Sequence, residues 1–295
     1  MTQPAASAPD SRPNPQKRNL IIRRVARAPW WLLIAAALIV AFLLSVSGDR
    51  NYQEVTGRIR SGIWTTIWVT VIAYSIATFM GLVIALLRRS TNVIIYQVTT
   101  LFVEVIRGIP TLVLVYYITL ALTPELVRAV ASLGKTLFDN GILPEFTQQV
   151  AGLTARDVPN AARAIVALAV SYSAFLSEIF RAGIESIPHG QIEAGMSMGM
   201  TRWQVMRHIV LPQAIRNILP PLGNDFIAML KESSLVSIVG VEDITRIGAT
   251  YASATFTFFQ SYNVVAITYL ILTLSLSMLV KMMEWYLGRG RQREE

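Results

Sequence analysis

The chain has 295 residues, of which 53% are hydrophobic and only 15% are charged, and its formal net charge is +8. Soluble domains carry about 25% charged residues, so this shortfall indicates an integral membrane protein. Cysteine is absent, which excludes disulfides and thiol catalysis. Because the only histidines are His189 and His208, we expect no metal site. The basic residues adjoin apolar runs without a nucleic-acid-binding motif, so we expect them to contact membrane lipid and no nucleic acid.

Six runs are long and apolar enough for a membrane helix, which needs about 20 such residues. The predicted spans are 30–47, 63–87, 98–122, 161–184, 215–239 and 264–287. Pro110 predicts a kink or break in the third span, and Pro220, Pro221 and Gly223 predict a break in the fifth. The sequence therefore predicts an all-α membrane protein with about six transmembrane helices.

The distribution of Lys and Arg predicts the orientation of these spans. With a cytoplasmic start, the inner segments carry more than twice as many basic residues as the outer ones, so both termini are predicted to be cytoplasmic. Arg58 and Arg60 fit this scheme least well, because they fall on the predicted outer side. The first span also has signal-peptide features, but 29 residues precede it and the Trp30-Trp31 pair is typical of a membrane-interface anchor.

Two segments outside the spans have their own patterns. Residues 1–29 are basic, and their first part is rich in Pro, Ala and Ser, which predicts a disordered cytoplasmic tail. The outer loop 123–160 is long enough for a short amphipathic helix near 126–137. Residues 289–295 form a short cytoplasmic tail.

The loop between the fourth and fifth spans contains signals for two short helices. Ser186 followed by Pro188 predicts the start of the first helix, and Gly199 suits its end. Thr201 and Gln204 form a T-x-x-Q capping box that would start the second helix. Pro212 is predicted to end that helix and to precede the next membrane span.

The residues of this loop also follow a specific spacing. Within 190–212, GQIEAGMSMGMTRWQVMRHIVLP, the order is Glu193-Ala194-Gly195, three residues, Gly199, nine residues, and Ile209-Val210-Leu211-Pro212. This spacing resembles the EAA loop of the permease subunits of bacterial ABC importers. Further segments, among them VEVIRGIPTLVLVYY (103–117) and SYSAFLSEIFRAGIESIPHGQIEAG (171–195), resemble the polar amino acid permeases of the histidine/glutamine/arginine type.

This resemblance implies a type I ABC importer (MetI-like) permease fold over 57–288, with a cytoplasmic coupling loop at 185–213. Its implied partners are a cytoplasmic ATPase dimer, a second permease subunit in a homo- or heterodimer, and an extracytoplasmic amino acid binding protein. The location would be the bacterial inner membrane. The chain departs from the family in its extra first helix at 30–47, its long 123–160 loop, and Gly195 in place of the second Ala of the signature.

The resemblance assigns coupling to the ATPase to a set of loop residues, of which those in 190–200 would dock and those in 209–212 would tie the loop to the fifth span. They are Glu193, Ala194, Gly195, Gly199, Ile209, Leu211 and Pro212. The chain itself lacks the G-x-x-x-x-G-K-[ST] motif and a catalytic constellation, so we expect no catalytic residue and no cofactor bound by this chain. ATP and Mg are expected on the separate ATPase.

Charged and polar residues inside spans are functional candidates, because burying them in lipid is costly. The candidates are Glu104, Arg107, Asn224, Asp225, Lys231 and Glu232. Glu104 and Arg107 are three residues apart and could pair on one helix face. The others would either line a path that recognises the ammonium and carboxylate of an amino acid or form a buried polar network between subunits. Ser173, Ser177 and Glu178 are weaker candidates.

Two functions remain open at this point. The first is the permease subunit of an ATP-driven importer of polar amino acids. The second is an ion-coupled secondary transporter, which broken spans and intramembrane carboxylates would also suit, although it leaves the loop pattern unexplained. The identity of the amino acid stays undetermined.

Overall fold

The computed structural model describes residues 48–288 and the isolated positions 34, 37, 39–42, 44 and 46. The chain divides into two units, Met1–Arg50 and Asn51–Glu295. In the first unit the described positions from 34 to 46 are helical. The rest of the predicted first span, and the predicted tails 1–29 and 289–295, lie outside the described residues.

The regular elements of the described residues are all helical. The α-helices, numbered in chain order, are α1 Arg50–Leu87, α2 Val93–Gly108, α3 Thr111–Tyr116, α4 Thr123–Asp139, α5 Pro144–Ala151, α6 Asn160–Glu185, α7 His189–Ser197, α8 Arg202–Val205, α9 Leu211–Glu232, α10 Ile244–Thr255 and α11 Phe258–Gly288. Single π-helical segments join α3 to α4 and α8 to α9, and a 3₁₀ segment, Ser233–Val239, follows α9. This helical content confirms the predicted fold class.

Four helices of the described region are long and apolar enough to cross a membrane: Arg50–Leu87, Thr111–Asp139, Asn160–Glu185 and Phe258–Tyr286. They confirm the second, fourth and sixth predicted spans as helices and give the third new bounds. The fifth predicted span corresponds to α9 and the 3₁₀ segment after it, which are not among the four helices that are long and apolar enough to cross a membrane.

The third predicted span, 98–122, is not one helix. Helix α2 ends at Gly108, the backbone at Ile109 is extended, and α3 begins after Pro110. Proline disfavours helical geometry in the residue before it and cannot donate a backbone hydrogen bond, so the chain breaks where Pro110 predicted it would.

The segment 123–160 contains the predicted helix near 126–137, as part of α4 Thr123–Asp139. The apolar helix that starts at Thr111 continues through a π-helical segment, Tyr117–Leu122, into α4 and ends at Asp139. Helix α5 then packs back on α4 at Gly134, where an added Cβ would lie 2.7 Å from Cγ1 of Val150. The predicted helix is therefore confirmed, and its continuity with the helix that starts at Thr111 was not predicted.

The predicted break at Pro220, Pro221 and Gly223 was also wrong. Both prolines lie inside α9, which runs without interruption from Leu211 to Glu232. Prolines are tolerated inside membrane helices that are packed among other helices. Next to the two prolines, the Tyr74 hydroxyl of α1 holds α9 in place by donating to the Leu222 carbonyl at 2.6 Å. Gly223 serves close packing, since a Cβ there would lie 2.9 Å from Val280 of α11.

The core of the second unit surrounds α6. In the most apolar 18-residue stretch of α6, 67% of the residues are buried, compared with 11–33% in the corresponding stretches of the other three long apolar helices. Glycines allow the neighbouring helices to approach α6 closely. A Cβ added to Gly81 of α1 would lie 2.9 Å from Leu176 Cβ of α6, and a Cβ added to Gly183 of α6 would lie 2.1 Å from Ile218 of α9. Small residues at helix contacts are characteristic of membrane bundles. Many large apolar side chains on α1, α2 and α11 face outward, as lipid-exposed surfaces do.

Candidate functional site

The loop between α6 and α9 folds as two short helices around a glycine turn. Helix α7 ends at Ser197, and Gly199 follows it with φ of +83°. Left-handed backbone is strained for residues with a Cβ, so the glycine permits this turn. The Gly199 amide donates to the Met196 carbonyl, and the Met200 amide donates to the Gly195 carbonyl. The predicted role of Gly199 at a helix end is confirmed.

The predicted capping box at the start of α8 is also confirmed. The Gln204 amide donates to Thr201 Oγ1 at 3.3 Å, and the Thr201 amide donates to Gln204 Oε1 at 2.8 Å. Each side chain therefore satisfies a backbone group that the helix leaves without a partner.

The predicted role of Ser186 was wrong. Ser186 belongs to the end of α6, where its hydroxyl donates to the Gly183 carbonyl and accepts from Asn217 Nδ2. The extended backbone of Pro188 starts α7, which has no side-chain cap. Ser186 consequently fastens the loop to α9 instead of starting a helix.

Pro212 does not end the second short helix as predicted. Helix α8 passes through a π-helical segment, Met206–Val210, directly into α9. The Leu211 amide donates to the Met206 carbonyl, and Pro212 occupies the first turn of α9, where a missing amide is tolerated. The second half of the loop is thus helically continuous with α9.

A small hydrophobic core holds the two short helices together. Ile187, Val205 and Val210 are buried, and Ile209 packs against them. Gly195 is buried beneath Ile209, whose Cδ1 lies 2.6 Å from the position of an added Cβ. Of the predicted coupling residues, Gly195 and Ile209 therefore face inward.

The other predicted coupling residues remain exposed. They are Glu193, Ala194, Gly199, Leu211 and Pro212. Met198 and Trp203 adjoin the glycine turn and are 75% and 70% exposed. Trp203 does not belong to the loop core, against which Met206 packs instead. The loop thus presents apolar side chains beside charged ones of both signs, Glu193, Arg202 and Arg207.

A second polar site lies at the end of α6 that leads into this loop. The carboxylate of Glu178 accepts from Arg88 at 2.5 Å, just after α1, and from both Nε and Nη2 of Arg181 at 3.0 and 2.7 Å. Arg107 of α2 lies 3.8 Å from the same carboxylate and over the Phe175 ring. We call Glu178, Arg88, Arg107 and Arg181 the inner ion cluster.

This cluster corrects the predicted pairing of Arg107. Arg107 contacts Glu178 of another helix, while Glu104 on its own helix is exposed and forms no ion pair with a described residue. Glu178 was only a weak candidate in the sequence. The sequence feature that could have identified Glu178 is a carboxylate inside one apolar span together with arginines at the ends of two other spans, because charged residues in membranes usually pair.

The remaining span candidates lie on α9. Asp225 and Glu232 are partly buried, and the Tyr172 hydroxyl of α6 faces Glu232. Glu232 Oε2 is buried and has no hydrogen-bond partner among the described residues. Asn224 and Lys231 are exposed, and Lys231 forms no ion pair within the described part of the chain. The structure brings two carboxylates near Tyr74 and Tyr172 and leaves Lys231 apart from them.

Comparison with known proteins decides the family. Residues 77–291 match the family described as "Binding-protein-dependent transport system inner membrane component". The chain belongs to this family. It is a membrane-spanning permease subunit, multi-pass in the inner membrane, and the subunits of this family are not catalytic.

Individual relatives agree with this assignment. The permease subunit is 37% identical to the probable amino-acid permease protein YxeN of Bacillus subtilis over 74% of this chain and 86% of YxeN. It is 31% identical to the glutamine transport system permease protein GlnP of Escherichia coli K12 over 76% of this chain and 90% of GlnP. Nothing in these likenesses favours an ion-coupled secondary transporter.

Solved structures show the same fold. An amino acid ABC transporter crystallised with histidines matches with a TM-score of 0.65 and 36% identity, over 83% of this chain and 98% of that one. The MetNI methionine ABC transporter, in an inward-facing conformation, matches with a TM-score of 0.59 and 20% identity, over 78% of this chain and 96% of that one. The expected MetI-like fold of type I importers is therefore confirmed.

Glu178→Gln should destabilise the permease subunit. The Arg88 side chain is only 9% exposed and would lose its ionic partner, and breaking such a buried pair costs about 3 kcal/mol. Thermal unfolding of the purified protein should therefore show a lower midpoint. The matched control is Glu125→Gln, which breaks a pair with Arg128 whose side chains are 64% and 72% exposed and should cost less than about 1 kcal/mol. Equal midpoints for the two variants would contradict the structural role of the inner ion cluster.

Proposed function

We propose that this permease subunit imports polar amino acids by coupling ATP hydrolysis on a separate ATPase to alternating access in the membrane. The observation that carries the coupling role is the loop between α6 and α9, which has its own small hydrophobic core and presents Glu193, Ala194 and Gly199 on its surface. The amino acid substrate class is supported by relatives named as amino-acid and glutamine permeases.

The loop geometry suits docking in a groove of the partner ATPase. The helix α7 and the turn at Gly199 expose small residues that allow close approach, with Met198 and Trp203 as apolar contacts beside them. Exposed aromatic and methionine side chains are enriched in protein interfaces. Glu193 would contact a basic residue of the ATPase.

Movement of the docked loop would pass to two helices at once. The π-helical segment joins the loop directly to α9, and Ser186 with Asn217 joins the end of α6 to the same helix. Closure of an ATPase dimer against a pair of permease subunits would then move α6 and α9 as levers. ATP and Mg would be held by the ATPase, both termini and the loop would be cytoplasmic, and an outer binding protein would deliver the amino acid.

The polar residues of α9 would line the substrate path. Asp225 and Glu232, with the tyrosines Tyr74 and Tyr172, form an acidic region that suits an ammonium group. The buried Glu232 Oε2 atom without a partner in the described residues is an acceptor available to a ligand. Asn224 and Lys231 would contact the carboxylate end or the partner permease subunit, and Glu104 would lie beside the inner ion cluster.

Gly199→Glu should abolish coupling without preventing membrane insertion. The substitution adds bulk and charge to the proposed docking surface, and we expect ATP-driven uptake to fall at least about tenfold, equivalent to a loss of 1.4 kcal/mol or more. Uptake in proteoliposomes and co-purification of the ATPase are the measurements.

The matched control for this variant is Gly141→Glu. Gly141 also has positive φ, +72° against +83° for Gly199, and neither would place a Cβ within 4 Å of a neighbour. The two variants therefore carry similar backbone strain, but Gly141 lies outside the loop. Normal uptake by Gly199→Glu, or equal loss in both variants, would contradict the coupling role.

Glu232→Gln should weaken substrate transport while the ATPase stays bound. Removing one charge-assisted contact to an ammonium group should raise the KM for uptake about tenfold. Glu145→Gln, at an exposed position of α5, serves as the control and should leave KM unchanged. An unchanged KM in Glu232→Gln would contradict a contact between Glu232 and the substrate and would leave this residue a structural role in helix packing.

A further inference from the structure

A cavity of about 620 Å³ lies between the first third of α1 and helix α10. Its lining includes Arg58 and Ser61 of α1, Glu242 before α10, and Arg246 and Tyr251 of α10. The volume falls within the range of about 300–1,000 Å³ that is usual for small-molecule sites. It is therefore large enough for a free amino acid.

The cavity lies far from the coupling loop. Arg58 lies in α1, and Arg88 directly follows the end of this helix 30 positions later. At a rise of 1.5 Å per residue the two residues are about 45 Å apart, which exceeds the thickness of about 30 Å of the hydrocarbon core of a membrane. Arg88 belongs to the inner ion cluster beside the loop. If the loop is cytoplasmic, as proposed above, the cavity opens on the opposite, outer side of the membrane.

The charged residues that line the cavity are not ion-paired with any described residue, whereas the arginines of the inner ion cluster are. Arg88, Arg107 and Arg181 all contact Glu178. In contrast, the side chains of Arg58, Glu242 and Arg246 are exposed and form no ion pair with any residue in 51–288. Two guanidinium groups and one carboxylate therefore face the cavity with their charges available.

The wall that carries these groups is held in place. The Arg58 guanidinium lies 5.4 Å from the centre of the Tyr251 ring, and the Tyr251 hydroxyl donates to Glu54 Oε2 at 3.1 Å. The buried Asp243 caps α10 by accepting from the Arg246 amide at 2.8 Å and from the Tyr269 hydroxyl at 3.1 Å. Fixed supports of this kind pre-organise a binding site.

We infer that this cavity is an outer site for a free zwitterionic amino acid. Arg58 and Arg246 would bind the carboxylate, for which the planar guanidinium is well suited, and Glu242 would bind the ammonium group. The two arginines outnumber the one glutamate, so amino acids with neutral or acidic side chains bind better than cationic ones. This site also gives a reason for Arg58 on the side of the membrane where basic residues are usually depleted.

The test uses the complete importer in nanodiscs, purified with its ATPase but without a binding protein. Equilibrium binding of radiolabelled glutamate, glutamine and arginine is measured on the wild type, Arg246→Gln and Glu242→Gln. We expect saturable binding of glutamate and glutamine, weaker binding of arginine, and a Kd raised about tenfold in each variant, since each loses a charge-assisted contact. Arg156→Gln, an exposed arginine of the 123–160 segment, is the control and should leave Kd unchanged.

Three results would overturn the inference. They are no saturable binding to the wild type, an unchanged Kd in either cavity variant, and, when the binding protein is added in a second assay, variants that lose only the stimulation of ATPase activity by that protein. The last result would make the cavity a docking surface for that protein. None of these results affects ATP-driven uptake by the wild type, so the proposed function fails separately, through absence of that uptake or of a co-purifying ATPase.

Discussion

The arrangement of the helices depends on the Glu178 carboxylate and the three arginines that contact it. Arg88 follows α1, Arg107 belongs to α2, and Arg181 lies one turn further along α6, so one acidic group fixes three helices. A charge inside a membrane bundle is costly unless it is paired, and removing its partner leaves the penalty in full. The ends of these helices that lie nearest the loop are therefore held together, and Glu185, which also pairs with Arg181, extends the cluster to the last residue of α6.

The same end of α6 leads into the proposed coupling loop. Gly183 allows Ile218 of α9 to approach closely, and Ser186 bonds to Asn217 of α9. Inside the loop, Gly195 packs under Ile209, so the surface offered to a partner is supported by a hydrophobic core and not by isolated side chains. A force applied at the turn would therefore reach α6 and α9 through packed contacts. Between those helices lie Tyr172, Asp225 and Glu232, the residues proposed to line the path, while the cavity lined by Arg58 and Arg246 lies at the far end of α1.

Local signals predicted the structure well wherever the deciding interaction lay within a few residues. The capping box of Thr201 and Gln204, the positive φ of Gly199 and the break at Pro110 depend on nearby backbone groups, and all three are confirmed. The family and the fold were predicted from the resemblance of the loop and of further segments to amino acid permeases. Sequence reasoning failed where distant contacts decide: Pro220 and Pro221 stay helical beside packed neighbours, the helix from Thr111 continues to Asp139, and Arg107 pairs with a glutamate 71 positions away instead of with Glu104.

The central claim is that this permease subunit is driven by a separate ATPase bound at the loop between α6 and α9. The most direct measurement is purification from native membranes in mild detergent, followed by mass spectrometry of all co-purifying proteins and an assay of ATP-dependent uptake after reconstitution. The account predicts an ABC ATPase in a fixed ratio to the permease subunit and uptake that requires ATP. A single protein species that transports amino acids in an ion gradient without ATP would contradict it.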